Sequence, residues 1–166
     1  RRWTHKPSDV PFLPVDRPAD MFVEAVRGLR TSLHFTMMEA ENRIVMISGP
    51  TQDCGKTLVA TNLAAIAGQS GQRALFIDAD MRKSVMAGRY TNAKKVTGLS
   101  EVLTGMKEID ECIYATQLPL LHLMFAGKYP PNPVELLSGE YFSKLITEAR
   151  KVFDYIIVDT PPLGRV

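Results

Sequence analysis

Gly55-Lys56-Thr57 follows the apolar run Ile44-Val45-Met46-Ile47 and opens an amphipathic stretch from Leu58 to Gln69. Strand, glycine turn and helix in that order form a phosphate-binding loop. The N–H groups of the turn and the positive end of the helix face an anion. In such a P-loop Lys56 reaches the β- and γ-phosphates of a nucleotide, and the Thr57 hydroxyl ligates Mg²⁺. The expected cradle comprises Thr51, Gln52, Asp53, Cys54, Gly55, Lys56, Thr57 and Leu58. The spacing departs from G-x-x-x-x-G-K-[ST] at one place, because Pro50 stands where the first glycine belongs and Gly49 comes one residue early. A bare GKT says little; its setting between strand and helix carries the reading.

Two further apolar runs supply carboxylates. Residues 73–83, RALFIDADMRK, read as a buried strand ending in Asp78 and Asp80, and residues 154–162, DYIIVDTPP, as another ending in Asp159. Ligands of a parallel α/β sheet sit at the carboxyl ends of its strands, so all three acids reach the edge that carries the phosphate loop. Mg²⁺ takes a few oxygen ligands and keeps several waters. Thr57, Asp80 and Asp159 are the expected metal ligands. A strand-end aspartate can equally cap a loop, but three beside one GKT point to a shared site.

The elements that must position these groups alternate β and α, which predicts an α/β fold with a mostly parallel sheet and helices on both faces. Residues 1–19 start basic and then carry Pro7, Pro11, Pro14 and Pro18, an extended linker; residues 20–166 form the P-loop domain. From Asp20 to about Ala40 the residues Phe22, Val26, Leu29, Leu33 and Met37 recur on one helical face. Glu24, Arg27 and Thr31 line the opposite face with Arg30 on its flank, which on periodicity alone is a solvated stripe. Strands are expected over 43–48, 73–78, Cys112–Ala115 and Leu120–Ala126. Helices are expected over 55–68, 98–105 and Tyr141–Val152, with Asn132 capping a helical stretch that Pro133 opens.

At 166 residues the chain makes one domain. Its 45% hydrophobic and 23% charged residues are ordinary for a globular protein, and a net charge of +2 gives no argument for nucleic acid. Cys54 and Cys112 are too few for a disulfide framework, and a thiol in the phosphate loop suits a reducing cytoplasm. His5, His34 and His122 are scattered, without zinc spacing. No apolar run reaches the roughly 18 residues a membrane span needs. The start at Arg1 without an initiator Met, and the stop at Val166 just after a core strand, read as a fragment whose C-terminal part is missing.

GPTQDCGKT, LFIDADMRK and DYIIVDTPP together resemble the bacterial tyrosine kinases of capsule and exopolysaccharide systems, which share the fold of the partition and division-site ATPases. Glu24-Ala25-Val26-Arg27-Gly28-Leu29-Arg30 resembles that family's E-x-x-R-x-x-R segment, and GKYPPNPVELL (127–137) its G-x-x-P-P-N-P-x-E-L-L stretch. The resemblance covers residues 20–162. It implies an ATP- and Mg²⁺-dependent protein-tyrosine autokinase that regulates polysaccharide polymerisation and export. It also implies a homo-oligomeric ring with Glu24, Arg27 and Arg30 at the subunit contact, so that one subunit's tyrosine-rich tail enters its neighbour's site. A polysaccharide co-polymerase membrane domain or subunit and a cognate tyrosine phosphatase are the other implied partners, at the cytoplasmic face of the bacterial membrane. Arg1, Arg2, His5 and Lys6 suit a juxtamembrane segment, or are a basic tail without that role.

In this reading Lys56 offsets phosphate charge, and Asp78 orients or deprotonates the incoming tyrosine hydroxyl. The roles of Asp78 and Asp80 can be exchanged. An ordinary Asp is a weak base for a phenol of pKa about 10, so orientation outweighs proton removal. Arg82 faces phosphate, a neighbour or solvent. Lys56→Met is expected to abolish phosphotransfer with the fold intact. A partition-type ATPase switch is the main alternative, but it typically carries an extra loop lysine where this chain has Thr51. A non-catalytic, nucleotide-dependent assembly scaffold is the second alternative. The five tyrosines (Tyr90, Tyr114, Tyr129, Tyr141 and Tyr155) are dispersed, mostly structural, and do not form the family's C-terminal cluster.

Overall fold

The computed structural model describes residues 12–40, 43–50, 55–81, 86–91 and 93–161. A five-stranded sheet runs through its centre in the order β1-β5-β2-β4-β3. The strands are β1 (Ile44–Ile47), β2 (Ala74–Asp78), β3 (Tyr114–Ala115), β4 (Leu121–Met124) and β5 (Tyr155–Asp159). β1, β5, β2 and β4 are parallel; β3 pairs antiparallel with β4. The register sets Ile47 opposite Asp159, and Asp159 opposite Asp78.

β2 and β5 are buried along their whole length, as expected of parallel strands covered on both faces. Phe76, Leu123, Tyr155 and Ile157 pack on one side beneath α3 (Lys56–Gln69), together with Ala60, Leu63, Ala64 and Ala67. The small residues let the helix approach closely: a Cβ at Gly68 would stand 3.3 Å from Leu121 Cβ. Leu75, Ile77, Ile156 and Val158 face the other side, against α5 (Leu99–Leu103) and α7 (Glu140–Arg150).

α2 (Met21–Thr36) starts where expected, with the Asp20 side chain accepting from the Phe22 N–H at 2.8 Å. Its buried pair is Val23 and Val26, whereas Leu29 is 40% exposed. The inner stripe is thus narrower than the periodicity predicted, because α2 lies on α3, itself a helix, and touches it along a seam.

The expected extended linker is partly folded. Leu13–Asp16 form the short helix α1, Pro14 is buried, and the buried Phe12 stacks on Tyr90 at 4.8 Å between centroids. Tyr90 closes the short helix α4 (Met86–Tyr90). Cys112 ends a 3₁₀ turn (Ile109–Cys112) instead of starting a strand. Asn132 is the N-cap of α6 (Pro133–Leu137) as expected, its carbonyl accepting from the Leu136 N–H at 3.2 Å, while its side-chain amide donates to Glu135 Oε2 at 3.3 Å. Among the described residues no helix is long and apolar enough to cross a membrane.

Candidate functional site

α3 is preceded by Gly55, whose φ of +78° lies in the left-handed region that glycine enters without strain. Among the described residues no side chain caps this helix, which leaves the N–H donors of its first turn for other acceptors. Thr51, Gln52, Asp53 and Cys54 lie outside the described residues, as does Arg82.

Lys56 is buried and turns toward the end of β5. Its ammonium donates to the Thr160 carbonyl at 2.6 Å and pairs with Asp159 Oδ1. Thr57 Oγ1 donates to the other carboxylate oxygen, Oδ2, at 2.8 Å. Asp159 is therefore a fully buried carboxylate held by a cation on one oxygen and a hydroxyl on the other. The first turn of α3 and the end of β5, joined by these bonds, form the centre of the site.

Asp78 stands opposite Asp159 on β2, and the Ala79 N–H donates to the Asp159 carbonyl at 2.8 Å. Burial, and then the neighbouring Asp159 charge, push the Asp78 carboxyl up to about 7. Lys56 and the Asp80 N–H, which donates to Asp78 Oδ1 at 3.1 Å, oppose the rise. Asp78 is thus far better poised near neutral pH than the ordinary aspartate expected from sequence. Asp80 is only partly buried and follows in a tight turn at the same edge.

Thr160 was absent from the expected set. It donates through both N–H and Oγ1 to the Ile47 carbonyl, at 3.0 and 2.8 Å, and it receives Lys56 on its own carbonyl. It fastens the strand that enters the phosphate loop to the strand that bears Asp159. Only its place directly after Asp159 hints at this in the sequence.

The donor set suits a nucleotide with Mg²⁺. Thr57 and Asp159 are hard oxygen donors in contact with each other, and Lys56 lies beside them. Among the described residues no group of three His, Cys, Asp or Glu side chains is arranged to hold a metal by itself. Mg²⁺ does not require one, because it is ordinarily held by one or two carboxylates together with phosphate and water.

On α2, Arg27 Nε pairs with Glu24 Oε1 at 3.5 Å on the outer face. Arg30 departs from the expected solvated flank. Among the described residues its Nε is buried without a hydrogen-bond partner, and its charge is felt by the buried Tyr155 on β5. Tyr90 and Tyr114 are also buried, while Tyr129 and Tyr141 are exposed.

A family profile described as an AAA domain matches residues 42–166. The tyrosine-protein kinase Etk of Escherichia coli K12 is 47% identical over 159 residues, which are 96% of this chain and 22% of that protein. Its solved kinase domain superposes with a TM-score of 0.88 at 46% identity, over all of this chain and 65% of that one. The VpsO kinase domain is 30% identical with a TM-score of 0.71, over 89% of this chain and 75% of the other. The chain belongs to the bacterial tyrosine-kinase family. The family's fold extends more widely: septum-site-determining MinD of Pyrococcus horikoshii, at 24% identity and TM-score 0.59, shares the architecture alone. This family member spans about a fifth of the length of the curated relatives it matches.

Proposed function

We propose that this chain is the catalytic core of an ATP- and Mg²⁺-dependent protein-tyrosine autokinase. The observation that carries the reading is the buried Lys56–Asp159–Thr57 constellation beside Asp78 at one sheet edge, in a chain of this family. Mg²⁺ would be held by Thr57, with Asp159 and Asp80 near it, and would supply charge neutralisation at the transferring phosphoryl group. The backbone from Thr51 to Leu58 cradles the phosphates. Lys56 leaves its pairing with Asp159 to reach them. Asp78 orients the tyrosine hydroxyl and, with its raised pKa, takes the proton.

The relatives named for a cps region and for Wzc support a role in exopolysaccharide or capsule polymerisation and export. The proposal extends to a homo-oligomeric ring that phosphorylates in trans, a membrane co-polymerase partner, a cognate tyrosine phosphatase, and a place at the cytoplasmic face of the membrane. The paired Glu24 and Arg27 offer an outward-facing subunit contact. The inward-facing Arg30 Nε suggests that this residue also braces α2 against β5.

The test incubates the full-length protein with Mg·ATP, with Lys56→Met alongside, and maps phosphorylated residues by mass spectrometry. Phosphotyrosine formed by the parent and lost in the variant is the expected result. Free phosphate without phosphotyrosine would instead establish a partition-type switch, and neither product would leave an assembly scaffold.

A further inference from the structure

β4 adjoins β2, whose end carries Asp78, so the residues that follow β4 emerge about one strand spacing, roughly 5 Å, from the candidate catalytic edge. Farther along the same loop, Lys128 to Pro131 form one wall of a cleft of about 460 Å³. The rest of the lining comes from Lys95 and Thr97 before α5, Ser100 and Glu101 within it, and Thr104, Met106 and Lys107 after it. The lining is largely apolar: Met106 is 74% exposed, Tyr129 is 58% exposed, and Pro130 and Pro131 complete the surface.

Three of the four charged side chains in this lining are lysines, and the fourth is Glu101. Lys95, Lys107 and Lys128 stand around it. Lys107 is shared with Glu111 at 3.3 Å, and neither Lys95 nor Lys128 forms an ion pair among the described residues. Glu101, the acid in the lining, has both oxygens engaged: Oε2 accepts from the Gly98 N–H and the Ser100 hydroxyl, and Oε1 from the Lys128 N–H. The same contacts tie the loop after β4 to α5. Gly127 has φ +80°, and a Cβ there would stand 2.1 Å from Glu101 Oε2.

We infer that this cleft is a docking groove for the phosphoryl acceptor, an extended tyrosine-bearing segment flanked by Asp or Glu. The inference rests on the kinase reading and adds its substrate class. Met106, Tyr129 and the two prolines take the aromatic and backbone portions, while Lys95 and Lys128 meet the flanking acids. Basic side chains at the rim of an apolar groove select partners by charge more than they add raw affinity.

A fluorescein-labelled peptide with tyrosine between pairs of glutamates, and its glutamine counterpart, are titrated against the full-length protein by fluorescence anisotropy. Lys95→Glu/Lys128→Glu and the milder Lys95→Gln/Lys128→Gln are compared with the parent, and ADP affinity is measured in each. The acidic peptide is expected to bind more tightly than the neutral one. The charge reversal should weaken it about tenfold and the glutamine pair by less, with ADP affinity unchanged. Equal binding of both peptides, or of the acidic peptide by all three proteins, would overturn the inference. Binding of phosphatidylserine vesicles in place of peptide, lost in the reversal, would overturn it in favour of a membrane surface. Phosphotyrosine formation is scored separately, so a protein that binds the peptide yet makes none would fail the kinase reading and not the groove.

Discussion

At the scale of single residues the Lys56–Asp159 pair decides most. Both groups are buried, and removing one partner of such a pair strands the other charge away from water. Lys56→Met should therefore lose activity and also about 3 kcal/mol of stability, a cost the sequence alone did not suggest. Asp159→Asn in the same chain should restore part of it, since the Thr57 hydroxyl can still donate to the amide oxygen. Urea unfolding of the two single variants and the double variant measures the coupling, and simple additivity would mean that the pair is not formed in solution. The GKT tripeptide and Asp159 were legible because strand and helix periodicity flank them. Their bond was not, because it joins positions 103 residues apart.

At the scale of elements, the start of α5 and the loop after β4 interlock. Leu99 and Ser100 donate their N–H groups to the carbonyls of Phe125 and Ala126, at 2.8 and 3.0 Å. Gly98 sits so close to that loop that a Cβ would stand 2.0 Å from the Phe125 carbonyl oxygen and 2.7 Å from the Gly127 nitrogen. Gly98→Ala must push backbone against backbone, and it should cost about 3 kcal/mol or more in a thermal or urea melt. An unchanged midpoint would show that the loop yields. The sequence located α5 and its stop near Gly105, whose φ is +75°. It did not show the loop contact, which makes Gly98 a packing glycine as well as a helix start.

At the scale of the whole molecule, Asp78 links stability to pH. Its carboxyl rises from 3.8 in the unfolded chain to about 7 in the fold. The native state therefore holds a proton that the unfolded chain has released, and stability falls as pH climbs between those two values, then levels off. Asp78→Asn removes this dependence. In metal-free buffer containing EDTA, the variant's stability relative to the parent should grow by up to about 1.4 kcal/mol per pH unit from about 4 to 7. Parallel stability curves for the two proteins across that range would mean that Asp78 is ionised throughout.

The order of strands and helices, the phosphate loop and the strand-end aspartates follow from local pattern: apolar runs, periodicity and glycine placement act over a few residues and are written along the chain. The tertiary structure decided what depends on distant groups meeting. It turned Lys56 onto Asp159, raised Asp78 by burying it beside a second carboxylate, drew Arg30 inward toward Tyr155, and gave Thr160 the task of joining β1 to β5. Burial and pairing are properties of neighbours brought together by the fold, so no window of sequence contains them.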